Sequence, residues 1–166
     1  MVADMNTDLE HVPYALGENN DSSIFMSQGQ TIHVRGKPEL NTHYGVYHVG
    51  NTYKDNQTGE NLGRQLELVG VVQPKEAGDN NITAVEVVSS FSEIRRGDRL
   101  LPMLAESSID AFFIPQAGNL PKAAHIIDIP MKSTYVGKYV TVLIDKGARE
   151  NLKPGAAFGI VRPGAA

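Results

Sequence analysis

Cysteine is absent from these 166 residues, and that gap removes disulfides, thiolate zinc sites and a cysteine nucleophile at once. A chain without thiols suits any compartment, an oxidising periplasm included. Tryptophan is also missing. No apolar run approaches the ~18 uninterrupted residues that a spanning helix needs. The longest basic run is the pair Arg95-Arg96, and the formal net charge is −4. The basic stripe of a nucleic-acid binder is therefore missing, and no nucleic-acid partner is expected. Sustained 3.6-residue periodicity is missing too, so little helix is expected beyond one turn in 104–110 and one in 148–152. Met1–Asp8 has no apolar core and does not read as a signal peptide. The polar start and the ending at Arg162-Pro-Gly suit a piece cut from a longer precursor.

What is present is a series of short β patterns. Apolar residues make up 41% of the chain, dominated by Leu, Ile and Val. In Thr31–Arg35, Ile32 and Val34 alternate with His33 and Arg35, the two-residue period of a half-buried strand. Tyr44–Val49 and Arg64–Gln73 read as a hairpin around a long polar loop, Gly50–Gly63. Ile82–Phe91 is rich in β-branched residues. Further strands are expected at 24–26, at 111–114 and at Ala124–Ile129, and Glu93–Pro102, a Gly-Asp turn feeding an apolar pair and a proline, reads as a strand-closing pattern. The last hairpin is expected to pair Val140–Asp145 with Ala157–Val161. Strands about every ten residues with Gly and Pro between them predict an all-β fold. The expected organisation is two small packed β-barrel or sandwich units. Residues 1–22 form an irregular lead-in, 23–104 the first unit and 105–166 the second.

Two turn motifs stand out. Gly97-Asp98 feeds an apolar pair, with Asp98 expected to cap backbone N–H groups. Lys146–Gly155 is bounded by Gly147 and Gly155, both expected at positive φ. Within it, Leu152 is expected to plug a barrel mouth and Pro154 to pre-set the turn. The segment returns to a strand rather than opening a helix, which excludes a phosphate-cradling loop. Catalytic signals are sparse. No Gly-x-Ser-x-Gly elbow surrounds Ser107 or Ser108, no His-x-His or His-Glu-x-x-His occurs, and His43 and His48 fall on opposite faces of a strand. The expectation is no enzyme, no metal and no cofactor. Candidate partner contacts are Lys54, Asp55, Asn56 and Gln57 in the polar loop, with the adjacent aromatics Phe112 and Phe113.

A set of segments carries a family resemblance. Pro13-Tyr-Ala-Leu16, Thr31-Ile-His-Val-Arg-Gly36, Tyr44-Gly-Val-Tyr-His-Val-Gly50, Gly59-Glu-Asn-Leu-Gly63, Arg96-Gly-Asp-Arg-Leu-Leu-Pro102, Val140–Arg149 and Asn151-Leu-Lys-Pro-Gly155 occur in that order. Together they resemble the region that follows the LysM module in TsaP-like secretin-associated proteins of type IV pilus machines. The last segment also resembles the C-terminal domain of the flagellar protein FlgT. The resemblance implies a periplasmic scaffold attached to the outer-membrane secretin (PilQ-like), with self-association around the secretin ring. Peptidoglycan binding belongs to the LysM module, which this chain lacks. The alternative is a cell-wall glycan-binding or wall-processing accessory domain.

Overall fold

A computed structural model describes residues 2–4, 8–16, 29–103, 114–119, 124–129 and 138–162. The fold is nearly all β: among the described residues 48% are strand and no helix reaches seven residues. By contacts the chain divides into two units, 1–53 with 62–107 and 54–61 with 108–166.

The first unit is built from β1 (Val2–Asp4), β2 (Tyr14–Ala15), β3 (Thr31–Arg35), β4 (Tyr44–Lys54), β5 (Asn61–Ala77), β6 (Ile82–Ser90) and β7 (Arg99–Pro102). The pairings run β5, β4, β7, β2, β3, β6 and return to β5. Six antiparallel strands therefore close into a barrel, which leaves no edge inside the ring. β1 adds to β5 outside it, pairing Val2 with Gln65 and Asp4 with Gly63. The long β5 makes closure possible. Its second half, Gly70–Ala77, pairs with β6, with register shifts at Val71/Val72 and Pro74/Glu76. The shift at Val71/Val72 changes which parity faces inward: Val69 precedes it in the core, and Val72 follows it. A bulge bends a strand and increases its twist, as a small closed barrel requires.

The alternation read in Thr31–Arg35 holds, with Ile32 and Val34 buried and Thr31, His33 and Arg35 exposed. These two side chains join Ala15, Tyr44, Val46, Val69, Val72, Val85, Val87, Ile94 and Leu100 in the barrel core. The opposite faces of β4 and β7 carry Tyr47, Val49 and Leu101, which pack on Leu66 and Leu9. Turn chemistry follows residue type. Asn80 and Asn81 both take positive φ in the β5–β6 connection, a conformation asparagine tolerates better than most residues. Gly36 has φ +126, and a Cβ there would meet Pro13 at 2.8 Å.

Several expectations need correction. The stretch 1–22, expected to be irregular, contributes β1 and β2, because Ala15 supplies an apolar side chain to the core and Tyr14 bridges Arg35 and Arg99. The expected long loop Gly50–Gly63 is mostly strand: β4 continues to Lys54 and β5 begins at Asn61. Its polar composition reflects exposed strand faces, not missing pairing. The expected strand at 24–26 and the expected helical turn at 104–110 lie outside the described residues.

The second unit contains two small ladders. β8 (Gln116–Ala117) pairs parallel with β11 (Ala156–Ala157), and β9 (Ile126–Asp128) pairs antiparallel with β10 (Leu143–Ile144). The expected hairpin between 140–145 and 157–161 does not form: each side pairs with an earlier segment instead. A single 3-10 turn, Ala148–Glu150, matches the helical turn expected at 148–152. Gly147 precedes it with φ −158 and ψ −147, extended rather than left-handed. Asn151 takes the left-handed position at φ 61, and Gly155 has φ 88 as expected. Pro154-Gly155 is closed by the Ala156 N–H donating to the Lys153 carbonyl at 3.1 Å. Proline at the second position and positive-φ glycine at the third are the chemistry of a type II turn.

Candidate functional site

The second unit gathers a chain of charged groups with the β4–β5 hairpin tip at one end. Asp55 is 6% exposed. Its Oδ1 accepts from the N–H groups of Gln57 and Thr58, both at 2.8 Å. The Asp55 N–H donates to the Glu60 carbonyl and Gly59 N–H donates to the Asp55 carbonyl, which closes the tip. Oδ2 accepts from Lys146 Nζ at 2.5 Å. Lys146 Nζ also lies 3.9 Å from Asp145 Oδ2. The Asp145 side chain is fully buried and accepts from the His125 backbone N–H at 2.8 Å and from His125 Nδ1 at 3.1 Å. A carboxylate only accepts, so the imidazole proton sits on Nδ1. Beside this chain Arg149 holds Glu60 through two bonds, at 2.8 and 3.2 Å.

The electrostatics follow from these contacts. The Lys146 ammonium, then the N–H groups of Thr58 and Gln57, hold the Asp55 carboxyl far below the usual carboxylate range. Burial pushes Asp145 up, but the two His125 donors and Lys146 outweigh it and leave its carboxyl lowered. Asp55 in turn raises Lys146. An ammonium held in its charged form is neither a base nor a nucleophile. An imidazole oriented by a carboxylate is the usual posture of a general base. Among the described residues, however, no Ser or Thr hydroxyl hydrogen-bonds His125, and no three His, Asp or Glu side chains group as metal ligands. What this arrangement does chemically is fix the tip of a hairpin to the turn after β10.

The first unit repeats the pairing on a smaller scale. Asp98, 2% exposed, accepts from the Arg95 N–H at 2.7 Å and from His48 Nδ1 at 2.9 Å. The capping role expected for Asp98 is present, and Gly97 takes φ +91. His48 is 50 positions away, so no local pattern could reveal it.

The β8–β11 ribbon offers a different surface. The N–H groups of Gln116 and Gly118 donate to the carbonyls of Gly155 and Ala157. An extended continuation of this ladder past Ala157 would turn the amides of Phe158 and Ile160 away from β8. Residues 158–162 follow β11 and belong to no ladder among the described residues. Their apolar side chains lie open: Phe158 is 41% exposed, Ile160 78% and Val161 89%, with Ile114 at 79% near the start of β8. The Phe158 ring rests where a Cβ of Gly118 would stand, so position 118 admits only glycine while that ring stays in place. A cleft of about 420 Å³ opens beside the ribbon, between 116–119 and 150–156.

The expected partner contacts divide. Lys54, Asn56 and Gln57 are exposed on the hairpin tip, whereas Asp55 is buried and serves as its internal clamp. Phe112 and Phe113 lie outside the described residues. Leu152 is only partly buried and lines the cleft, which corrects its expected role as a barrel plug. Leu152→Ala is accordingly expected to cost only about 1 kcal/mol or less, as for a partly exposed position, read as a small shift of the thermal midpoint. The signals that sequence reading missed are Lys146 and His125, whose partners lie 91 and 20 positions away.

Compared with protein-family models and with curated proteins, the chain matches none.

Proposed function

We propose that this protein is a non-enzymatic periplasmic scaffold domain that associates with the outer-membrane secretin of a type IV pilus machine. The observation that supports a binding role is the stretch after β11, which belongs to no ladder among the described residues. Phe158, Ile160 and Val161 lie exposed along it. A partner strand laid along that edge would gain main-chain hydrogen bonds and cover apolar side chains. An open apolar edge is otherwise a liability that proteins avoid. The choice of secretin as the partner rests on the ordered resemblance from Pro13 to Gly155. Self-association around the secretin ring would multiply weak single contacts.

The test is retention of the purified chain on the secretin, compared with two variants. Ile160→Pro removes an N–H from that stretch, and Asn56→Ala with Gln57→Ala strips the hairpin tip without touching the Asp55 clamp. The proposal expects the wild type to be retained and Ile160→Pro to lose most of that binding, with the fold unchanged by circular dichroism. No retention of the wild type would refute it. Loss only in the tip variant would move the contact to the hairpin.

A further inference from the structure

The cleft beside the β8–β11 ribbon has a chemistry that the scaffold reading does not use. Its polar lining includes three side-chain amides, Gln116, Asn119 and Asn151. Each primary amide both donates and accepts, and that two-way capacity is what a hydroxyl group also has. The charges on the rim balance. Lys153 contributes one cation and Glu150 one carboxylate, and Glu150 Oε2 is already engaged by the Gly147 N–H at 2.8 Å. Neither sign of ligand charge is selected.

An apolar surface adjoins the amides. In the in-register pairing Gln116↔Ala156 and Ala157↔Ala117, the next pair is Gly118 with Phe158. Strand alternation puts Gln116, Gly118, Ala156 and Phe158 on one face. The Phe158 ring covers Gly118 and is not among the residues that line the cleft. Leu152 and Pro154 supply apolar wall on the turn side. The volume falls in the ~300–1,000 Å³ range of small-molecule sites. Amides for hydroxyls, the apolar wall of Leu152 and Pro154 for the C–H side of a sugar ring and no net rim charge describe one ligand class. We propose that this cleft binds a short neutral saccharide.

The site rests on its own residues and stands or falls apart from secretin association. The full chain is titrated with maltotriose, cellotriose and triacetylchitotriose, followed by calorimetry and by amide chemical shifts. Gluconate serves as a charged comparator. The expected result is saturable binding of at least one neutral trisaccharide at millimolar or tighter affinity, with shifts at 116–119 and 150–156. Asn151→Gly keeps the left-handed backbone and removes the amide, and Gln116→Ala alters an exposed side chain. Each is expected to weaken binding about tenfold, the ~1.4 kcal/mol of one lost hydrogen bond, with an unchanged melting point. No binding of any of the three sugars overturns the proposal. So does binding that these variants leave intact, or binding of gluconate as tight as that of the neutral sugars.

Discussion

Leu100→Ala is expected to cost the first unit about 3 kcal/mol, within the ~2–5 kcal/mol measured for truncating a fully buried leucine. Leu100 is 0% exposed and sits in β7 among Val34, Val46, Val72, Val85 and Val87, each also at 0%. A closed barrel cannot collapse easily onto the void, because its ring of pairings fixes the distances between facing strands. The neighbouring position gives a control. Leu101 points to the other face of β7, where it is only partly buried against Leu66 and Leu9, and Leu101→Ala should cost distinctly less. Denaturant unfolding of both variants measures the difference. Equal losses would mean that the core does not lie on the Leu100 face.

Lys146→Met is expected to have the largest effect in the second unit. The substitution keeps much of the volume and removes the cation between Asp55 and Asp145. Two carboxylates with almost no exposure then lack their counter-ion, and breaking one side of a buried pair is far more damaging than replacing both. The predicted result is loss of cooperative unfolding of the second unit at neutral pH, or a fall of many degrees in its midpoint. Lys146→Arg should recover part of it. The pH dependence carries the sign. Asp55 and Asp145 have lowered carboxyl pKa values in the folded chain. Their stabilisation is therefore fully present above the unfolded carboxylate value of ~3.9. It is lost as pH falls through the lower folded values. The wild type should hold its stability from neutral pH to about pH 5 and lose it below about pH 4. In Lys146→Met the slope should reverse, since protonating an unpaired buried carboxylate relieves it. Thermal melts across pH 3–7 follow both curves.

How far this structure could be read from sequence depends on the range of the contact. Thr31–Arg35 was legible because one strand face is buried and the other is not, and two-residue alternation records that directly. The Asp98 cap and the Pro154-Gly155 turn were legible because their partners lie within three residues. The extent of β4 and β5 was not. Gly50–Lys54 and Asn61–Gly63 are polar because their side chains are largely exposed, and composition alone reads exposure as loop. The change of phase at Val71/Val72 left no local mark, since Val and Leu stand on both parities there. The assignment of Gly147 and Asn151 went astray for a related reason. A glycine before a turn suggests positive φ, but here the Gly147 N–H is needed by Glu150 and the left-handed residue falls four positions on. The charged chain from Asp55 to His125 was invisible, because Lys146 and Asp55 are brought together only by tertiary structure. Pairing also escaped the pattern at the end of the described chain. Val140–Asp145 and Ala157–Val161 both look like strands, yet β10 pairs with β9, β11 pairs in parallel with β8, and residues 158–161 join no ladder among the described residues.

That open edge carries the functional account, and hydrogen exchange at its amides tests it most directly. The chain is exchanged alone and with the purified outer-membrane secretin, and protection is followed at Phe158, Ile160 and their neighbours. Fast exchange of these amides is expected in the free chain, and strong protection once the secretin is bound. The barrel amides of β3 and β6 should be unchanged. Secretin binding that leaves the amides of residues 158–162 exchanging as fast as before would contradict strand addition at this edge.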